Sequence, residues 1–503
     1  MGSKIESFYF PIRNYLKIQE NIHLVLLLLL IFAVLPFIFL ATCNHPLGMH
    51  EWDWITNLRG FTSKMTFWEE QKYYFNNVMG RYSSTWISSL SDNLYTLFTF
   101  KLFFILNILL SLMFIGIAVK VLLGFNHIPL IISTTSILWL SWISGISGVQ
   151  DTLYMLTSVH TYLLGFYSLV LVLYCWYICL SSSHNYNLYW KSILIILSIF
   201  TIGTNEISLI YMVITSGFLL YNYNSKKYKL FLVTLIIISL GFALFSILSP
   251  ANLLRKSQYA SDYSFLNLVL LSISTSIFDV ISWVVNGQLF FGSCLYLYLI
   301  KNIDTSQIKR IPILYFIVLV MILIFASHFL IIFGTNGLSI AERVVDLIYI
   351  HFLLIWFYAL TVYCNYPSYG FFNFKNNQIT NSFKTIFFIY YFLILFSSGI
   401  SINRENKSFN NFFSLIDVNS NIGEAWLLIL NGSAFQYDNS MYLQYEKLRK
   451  CDSDTCYLTK PVMSPKFLYF NLSDRRNTNS GDPFIGYYFN PNIRVVKYSD
   501  NQN

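Results

Sequence analysis

The chain has 503 residues, of which 55% are apolar and 19% aromatic, and only 11% are charged, against about a quarter in a soluble globular protein. That balance excludes a soluble globular domain, and the long uncharged apolar runs exclude a transmembrane β-barrel, whose strands are short and alternating. The formal charge of +8 comes from basic residues scattered over many loops rather than gathered in a stripe, which argues against nucleic acid as a partner and reads as membrane topology.

Lys4, Arg13 and Lys17 precede the apolar run Ile22 to Ala41, which is too long for a signal-peptide core, so the amino terminus is expected in the cytoplasm with the first helix retained. Further crossings are predicted near Leu102 to Val119, Ile128 to Ile143, Tyr162 to Leu180, Ser192 to Gly203, Ile207 to Leu220 and Leu230 to Leu248. Gly287 to Leu299, Ile311 to Phe333, Leu347 to Tyr363 and Ile386 to Ile400 complete a set of eleven. Phe265 to Val285 is read as lying along the membrane surface. An odd number of crossings puts the tail outside the cytoplasm, and the predicted inner loops carry Lys120, Lys191, Lys226, Lys227, Lys229, Lys301, Lys309, Arg310, Lys375 and Lys384. The expected fold is an all-α polytopic membrane protein: residues 1–401 form the transmembrane module, 42–95 a long outer loop, and 402–503 a small non-cytoplasmic C-terminal domain. Cys451 and Cys456 lie close together in that polar tail, where a disulfide loop suits an oxidising compartment.

The outer loop opens with His50-Glu51-Trp52-Asp53-Trp54, directly after the first helix. Carboxylates at the mouth of a helix bundle accept a proton from a substrate hydroxyl or hold a divalent cation; otherwise they are solvated acids beside an aromatic belt. Phe67 to Tyr82 is amphipathic and ends at Gly80-Arg81-Tyr82, where Arg81 either meets a lipid phosphate or snorkels as a structural cation. Glu206 interrupts an apolar stretch at Gly203-Thr204-Asn205-Glu206, and a carboxylate at bilayer depth calls for a cavity or a partner. Arg255 follows Pro250-Ala251-Asn252 in a predicted outer loop, and Glu342-Arg343 opens a predicted helix. These arginines suit a phosphate head group, or simply anchor helix ends. His160 enters a helix at the outer face, either to hydrogen-bond a sugar or as a satisfied structural histidine. No phosphate-binding Gly-rich loop, His-Glu-x-x-His motif or Gly-x-Ser-x-Gly elbow is present.

Taken in order, Glu51-Trp52-Asp53, Gly80-Arg81-Tyr82, Tyr154 to Tyr162, Gly203 to Glu206, Pro250 to Arg255 and Glu342-Arg343 resemble the GT-C class of membrane glycosyltransferases. Within that class, the likeness is to the bacterial serotype-converting (Gtr-type) O-antigen glucosyltransferases. Ala251 departs from the Gly expected between Pro250 and Asn252. The resemblance implies an enzyme of the bacterial inner membrane that moves a hexosyl unit from a polyprenyl-phosphate donor to O-antigen or a related lipid-linked glycan at the periplasmic face. It implies Asp53, then Glu51, as base or as ligands of Mg or Mn; Arg81, Arg255 and Arg343 for the donor phosphate; and His160 and Glu206 toward the acceptor or sugar. Membrane lipid, a flippase and a donor-synthesising transferase are the implied partners. An O-antigen polymerase also uses outer arginines but has no clear need for the acidic pair, and a transporter or flippase also carries intramembrane acids.

Overall fold

In hydrocarbon, backbone amides and carbonyls are satisfied within a helix, so uncharged apolar runs fold as helices. A computed structural model describes residues 2–46, 66–91, 96–125, 127–181, 187–222, 226–258, 263–300, 312–335, 337, 340–364, 389, 399–402, 416–459, 463, 465–468 and 495–499. The body comprises α1 (Gly2–Thr42), α2 (Phe67–Asn77), α3 (Tyr82–Ser91), α4 (Leu97–Leu123) and α5 (Ile128–Gly145). Two π-helical turns, Gln150–Tyr154 and Val159–Leu163, then lead into α6 (Leu164–Ser181). It continues through α7 (Asn187–Ile202), α8 (Glu206–Asn222), α9 (Lys226–Ile247), α10 (Pro250–Gln258), α11 (Phe265–Val285), α12 (Gly287–Ile300), α13 (Ile313–Gly334) and α14 (Glu342–Ala359).

Among the described residues, eight helices are long and apolar enough to cross a membrane: Ile22–Thr42, Leu97–Leu123, Ile128–Gly145, Leu156–Cys179, Leu230–Ile247, Phe265–Val285, Ile313–Gly334 and Glu342–Tyr363. This makes the chain a mostly helical, multi-pass membrane protein, with differences from the eleven expected crossings. The predicted crossings at Ser192, Ile207 and Gly287 are shorter apolar helices. At 14 residues, α12 extends only about 21 Å, less than a bilayer core of about 30 Å. Of the predicted crossing Ile386 to Ile400, all but Ile389, Gly399 and Ile400 lies outside the described residues, and those last two belong to a strand.

Phe265 to Val285, expected on the surface, is one apolar helix long enough to cross. Phe265 packs on Phe329 and Phe333 in the last turns of α13, and Trp283 packs on Tyr349 and Phe352 in α14. Because α13 leads directly into α14, both ends of α11 lean toward the same side of the bundle. Its inward face carries Ser272, Ser276 and Asp279, all buried. Asp279 Oδ2 lies 2.7 Å from Nε2 of the buried His328, whose Nδ1 lies 2.9 Å from the carbonyl of Ile324. The carboxylate and the imidazole thus partner each other within apolar surroundings.

The described part of the tail adds four short strands to an otherwise helical chain. Strands β1 (Gly399–Ile402) and β2 (Ile416–Asn419) pair antiparallel, α15 (Asn421–Leu430) and α16 (Ser433–Arg449) follow, and β3 (Thr455–Thr459) pairs in parallel with β4 (Val495–Ser499). Since β1 begins at Gly399, this sheet straddles the expected boundary at residue 402. Asn421 Nδ2 donates to the carbonyls of Ile143 and Ile146 at 2.9 and 2.8 Å, and Trp426 stacks on Phe32, so the tail is docked on the end of α5 and along the side of α1. Cys451 and Cys456 are free thiols within hydrogen-bond reach of each other, rather than the expected disulfide.

His328→Leu leaves the Asp279 carboxylate buried without the imidazole and is expected to destabilise the bundle by about 3 kcal/mol. Adding Asp279→Leu should recover most of that loss, as measured by thermal unfolding in detergent. Equal midpoints for the single and double variants would show that the two residues are not coupled.

Candidate functional site

The chain reverses repeatedly at one end of the bundle, called the mouth here, where α1, α5, α7 and α9 finish and α8 and α14 begin. The turn Gly80-Arg81-Tyr82 is clamped there by the ends of two helices. A Cβ on Gly80 would fall on the Ser246 carbonyl and the Ser249 side chain, so only glycine fits against α9. Ser246 Oγ donates to the Gly80 carbonyl at 2.9 Å, Tyr82 Oη to the Ile199 carbonyl at 2.8 Å, and the Ser83 amide to the Gly203 carbonyl at 3.0 Å.

This clamp aims Arg81 at Glu206. Arg81 Nε donates to the two carboxylate oxygens at 3.1 and 3.2 Å, and Nη2 donates to Oε2 at 2.9 Å. Nη1 reaches the Tyr162 hydroxyl at 3.3 Å, with the guanidinium 5.4 Å from that ring. Burial disfavours the charge on Arg81, but Glu206 and Tyr162 more than offset it and hold the guanidinium above its ordinary pKa. Glu206 occupies the first turn of α8, where the helix dipole favours an anion. Asn205 caps that turn, accepting from the Ser208 amide at 2.8 Å while its Nδ2 donates to the Thr161 carbonyl at 2.7 Å.

A second cluster is built on α14. The buried Asp346 carboxylate accepts from the Ser147 amide at 3.0 Å, Ser147 Oγ at 3.2 Å, the Gly148 amide at 3.2 Å and Thr152 Oγ1 at 2.7 Å. These bonds pin the segment between α5 and the first π-helical turn. One turn earlier on α14, Arg343 Nη1 donates to Asp151 Oδ2 at 3.3 Å and lies 3.7 Å from Met155 Sδ. Arg343 is also within electrostatic reach of Tyr162, the residue whose hydroxyl Arg81 contacts.

The structure therefore brings Arg81, Glu206 and Arg343 to one mouth. Arg255 was expected in a loop but lies on helix α10, which packs on α2; its side chain is not among those described. His160 is buried, with Nδ1 3.1 Å from Ser88 Oγ and its ring edge-on to Phe103, a structural setting rather than a substrate-facing one. Glu51 and Asp53 lie outside the described residues. They belong to the segment between Pro46 and Thr66, which enters from the end of α1 and leads into α2 and Arg81. Among the described residues no group of three or more His, Cys, Asp or Glu side chains is arranged to hold a metal ion. Asp151 and Asp346 went unread in the sequence, although Glu342 and Asp346 stand one helical turn apart on one face.

No protein-family model, curated protein or solved structure matches the chain.

A Cβ on Gly165 would come within 3 Å of Asn205 Nδ2, Ser208 Oγ and Thr204 Oγ1. Gly165→Ala is therefore expected to push the Glu206 turn away from Arg81 and to destabilise the protein by about 1–3 kcal/mol. A thermal midpoint equal to that of the wild type would show that the turn yields freely.

Proposed function

We propose that the chain is a membrane glycosyltransferase that takes a hexosyl unit from a polyprenyl-phosphate donor and adds it to a lipid-linked glycan of the O-antigen kind. In this reading the mouth opens on the periplasmic side of the bacterial inner membrane. The observation that carries the proposal is the pair of mostly buried guanidinium groups, Arg81 and Arg343, both within electrostatic reach of Tyr162 at one end of an apolar bundle. A phosphate with a hydrocarbon tail needs both features: cations at the interface and lipid alongside.

In the resting arrangement each guanidinium is held by a carboxylate, Glu206 or Asp151. A donor phosphate competes with that carboxylate for the fork of N–H donors. The bond from the sugar's anomeric carbon to the phosphate oxygen breaks, and a new bond forms to the acceptor oxygen. The phosphate leaves with the electron pair, and Arg81 and Arg343 stabilise its growing charge. Asp53, with Glu51 as second choice, takes the proton from the acceptor hydroxyl. Arg255 is assigned to the same phosphate, on a helix packed beside the Arg81 turn. Mg or Mn on Glu51 and Asp53, if bound there, would supply positive charge beside the phosphate.

The buried Asp279–His328 pair favours transport as a second reading, since ionisable groups within a membrane also mark transport paths.

Purified protein in detergent is expected to transfer label from a polyprenyl-phosphate sugar to a lipid-linked glycan. Arg81→Ala and Arg343→Ala should each lower kcat/KM by about a hundredfold. Unchanged transfer in Asp53→Asn and in Glu51→Gln would remove both acids from the assignment. In cells, loss of the gene should remove one sugar mass per glycan repeat while the lipopolysaccharide ladder persists. Collapse of the ladder to single repeats would point to a polymerase, and build-up of lipid-linked sugar on the inner leaflet to a flippase.

A tail outside the cytoplasm also predicts oxidation of Cys451 and Cys456. Burial pushes Cys456 up to about 11, whereas Cys451, despite its own desolvation, is held below its ordinary value by its hydrogen bonds with Cys456 and Ser453. Mass spectrometry of protein taken from cells under alkylating, non-reducing conditions should find the two cysteines joined; full alkylation of both would place the tail in a reducing compartment.

A further inference from the structure

The buried charges that join the tail to the bundle are other residues than those assigned to the proposed transfer. His45, just past the end of α1, is fully buried. Its Nε2 lies 2.7 Å from Asp438 Oδ1 on α16, and its Nδ1 lies 3.0 Å from the Tyr445 hydroxyl. Lys101 on α4 donates to the same Asp438 oxygen at 2.6 Å and to the Tyr442 hydroxyl at 3.3 Å. The rings of Tyr437, Tyr442 and Tyr445 surround the imidazole at centroid distances of 5.7, 5.4 and 5.4 Å.

These contacts assign the tautomer. Facing a carboxylate, Nε2 must carry a proton, and in a neutral ring Nδ1 then accepts from Tyr445. The charges already balance in that state, because Asp438 is negative, Lys101 positive and His45 neutral. A proton on Nδ1 would bury a second, uncompensated positive charge and would turn the Tyr445 hydroxyl away.

We propose that His45, Asp438 and Lys101 form an acid-sensitive latch that holds the tail helix α16 on the ends of α1 and α4 and releases it as pH falls. The latch rests on these contacts alone and does not depend on the transferase reading.

The direction follows from proton linkage. Burial first, and Lys101 second, hold docked His45 below its ordinary value of 6.5, with Asp438 opposing. The undocked ring takes up a proton near 6.5, so docking is at full strength above that pH and weakens as pH falls toward the docked value. Asp438 is held below its ordinary 3.8: its burial raises it, but the bonds from His45 and Lys101 prevail, so its contribution is lost only in stronger acid. The other titratable groups facing the ring are Cys43, whose thiol is raised by its own burial, and the hydroxyls of Tyr437, Tyr442 and Tyr445.

Amide hydrogen exchange of the full chain in nanodiscs, scaled to the intrinsic rate at each pH, tests the latch. Protection of the peptides covering Ser433–Arg449 should fall about tenfold between pH 7.5 and 5.5. His45→Gln can donate to Asp438 and accept from Tyr445 but does not titrate, so its protection should change less than twofold. Lys101→Met removes the competing cation and lets a protonated His45 pair with Asp438, so acid should release α16 less than in the wild type, or not at all. Wild-type protection that is flat with pH, or a loss in His45→Gln equal to that of the wild type, would overturn the proposal. If His45→Gln fails to fold, a pH profile in Lys101→Met identical to that of the wild type overturns it instead.

Discussion

The ion pair between Arg81 and Glu206 is the constraint on which the mouth depends. It joins the turn that follows α2 to the start of α8, far along the chain. Each charge is mostly buried and is held by the other, so the pair ties the α2–α3 hairpin to the break between α7 and α8. Tyr162 extends the constraint to the helix entered through the π-helical turns. Arg343 and Asp151 then carry it to α14 and to the segment that Asp346 holds in place.

Some of this was legible in the sequence because it is written locally. Gly203-Thr204-Asn205-Glu206 breaks an apolar stretch, and the structure indeed places a turn there with Glu206 opening a helix. Gly80-Arg81-Tyr82 ends an amphipathic helix, and Glu342-Arg343 begins another, as their composition predicts. The partners were not legible. Arg81 and Glu206, Asp151 and Arg343, and His45 and Asp438 meet across intervals in which nothing is periodic, and a composition that marks a helix says nothing about which helix lies beside it. Asp279 was hidden for the same reason: its partner is a histidine on α13, a separate helix, and the helix that carries it was expected on the surface.

The tail reads differently from the body. Asn421 bonds buried carbonyls at the end of α5, Trp426 stacks on α1, and Asp438 pairs with Lys101 on α4. The tail is therefore joined to the bundle by buried polar contacts as well as by the apolar packing that its helices share with the core.

The two π-helical turns beside Met155 have a consequence of their own. Each holds one residue more than an α-helical turn of the same rise, and one residue corresponds to about 100° of rotation. Asp151 lies in the first of these turns and Tyr162 in the second. The chemistry at the mouth therefore depends on chain length as well as on residue type. A one-residue deletion in either turn would rotate the side chains after it by about 100° relative to those before it.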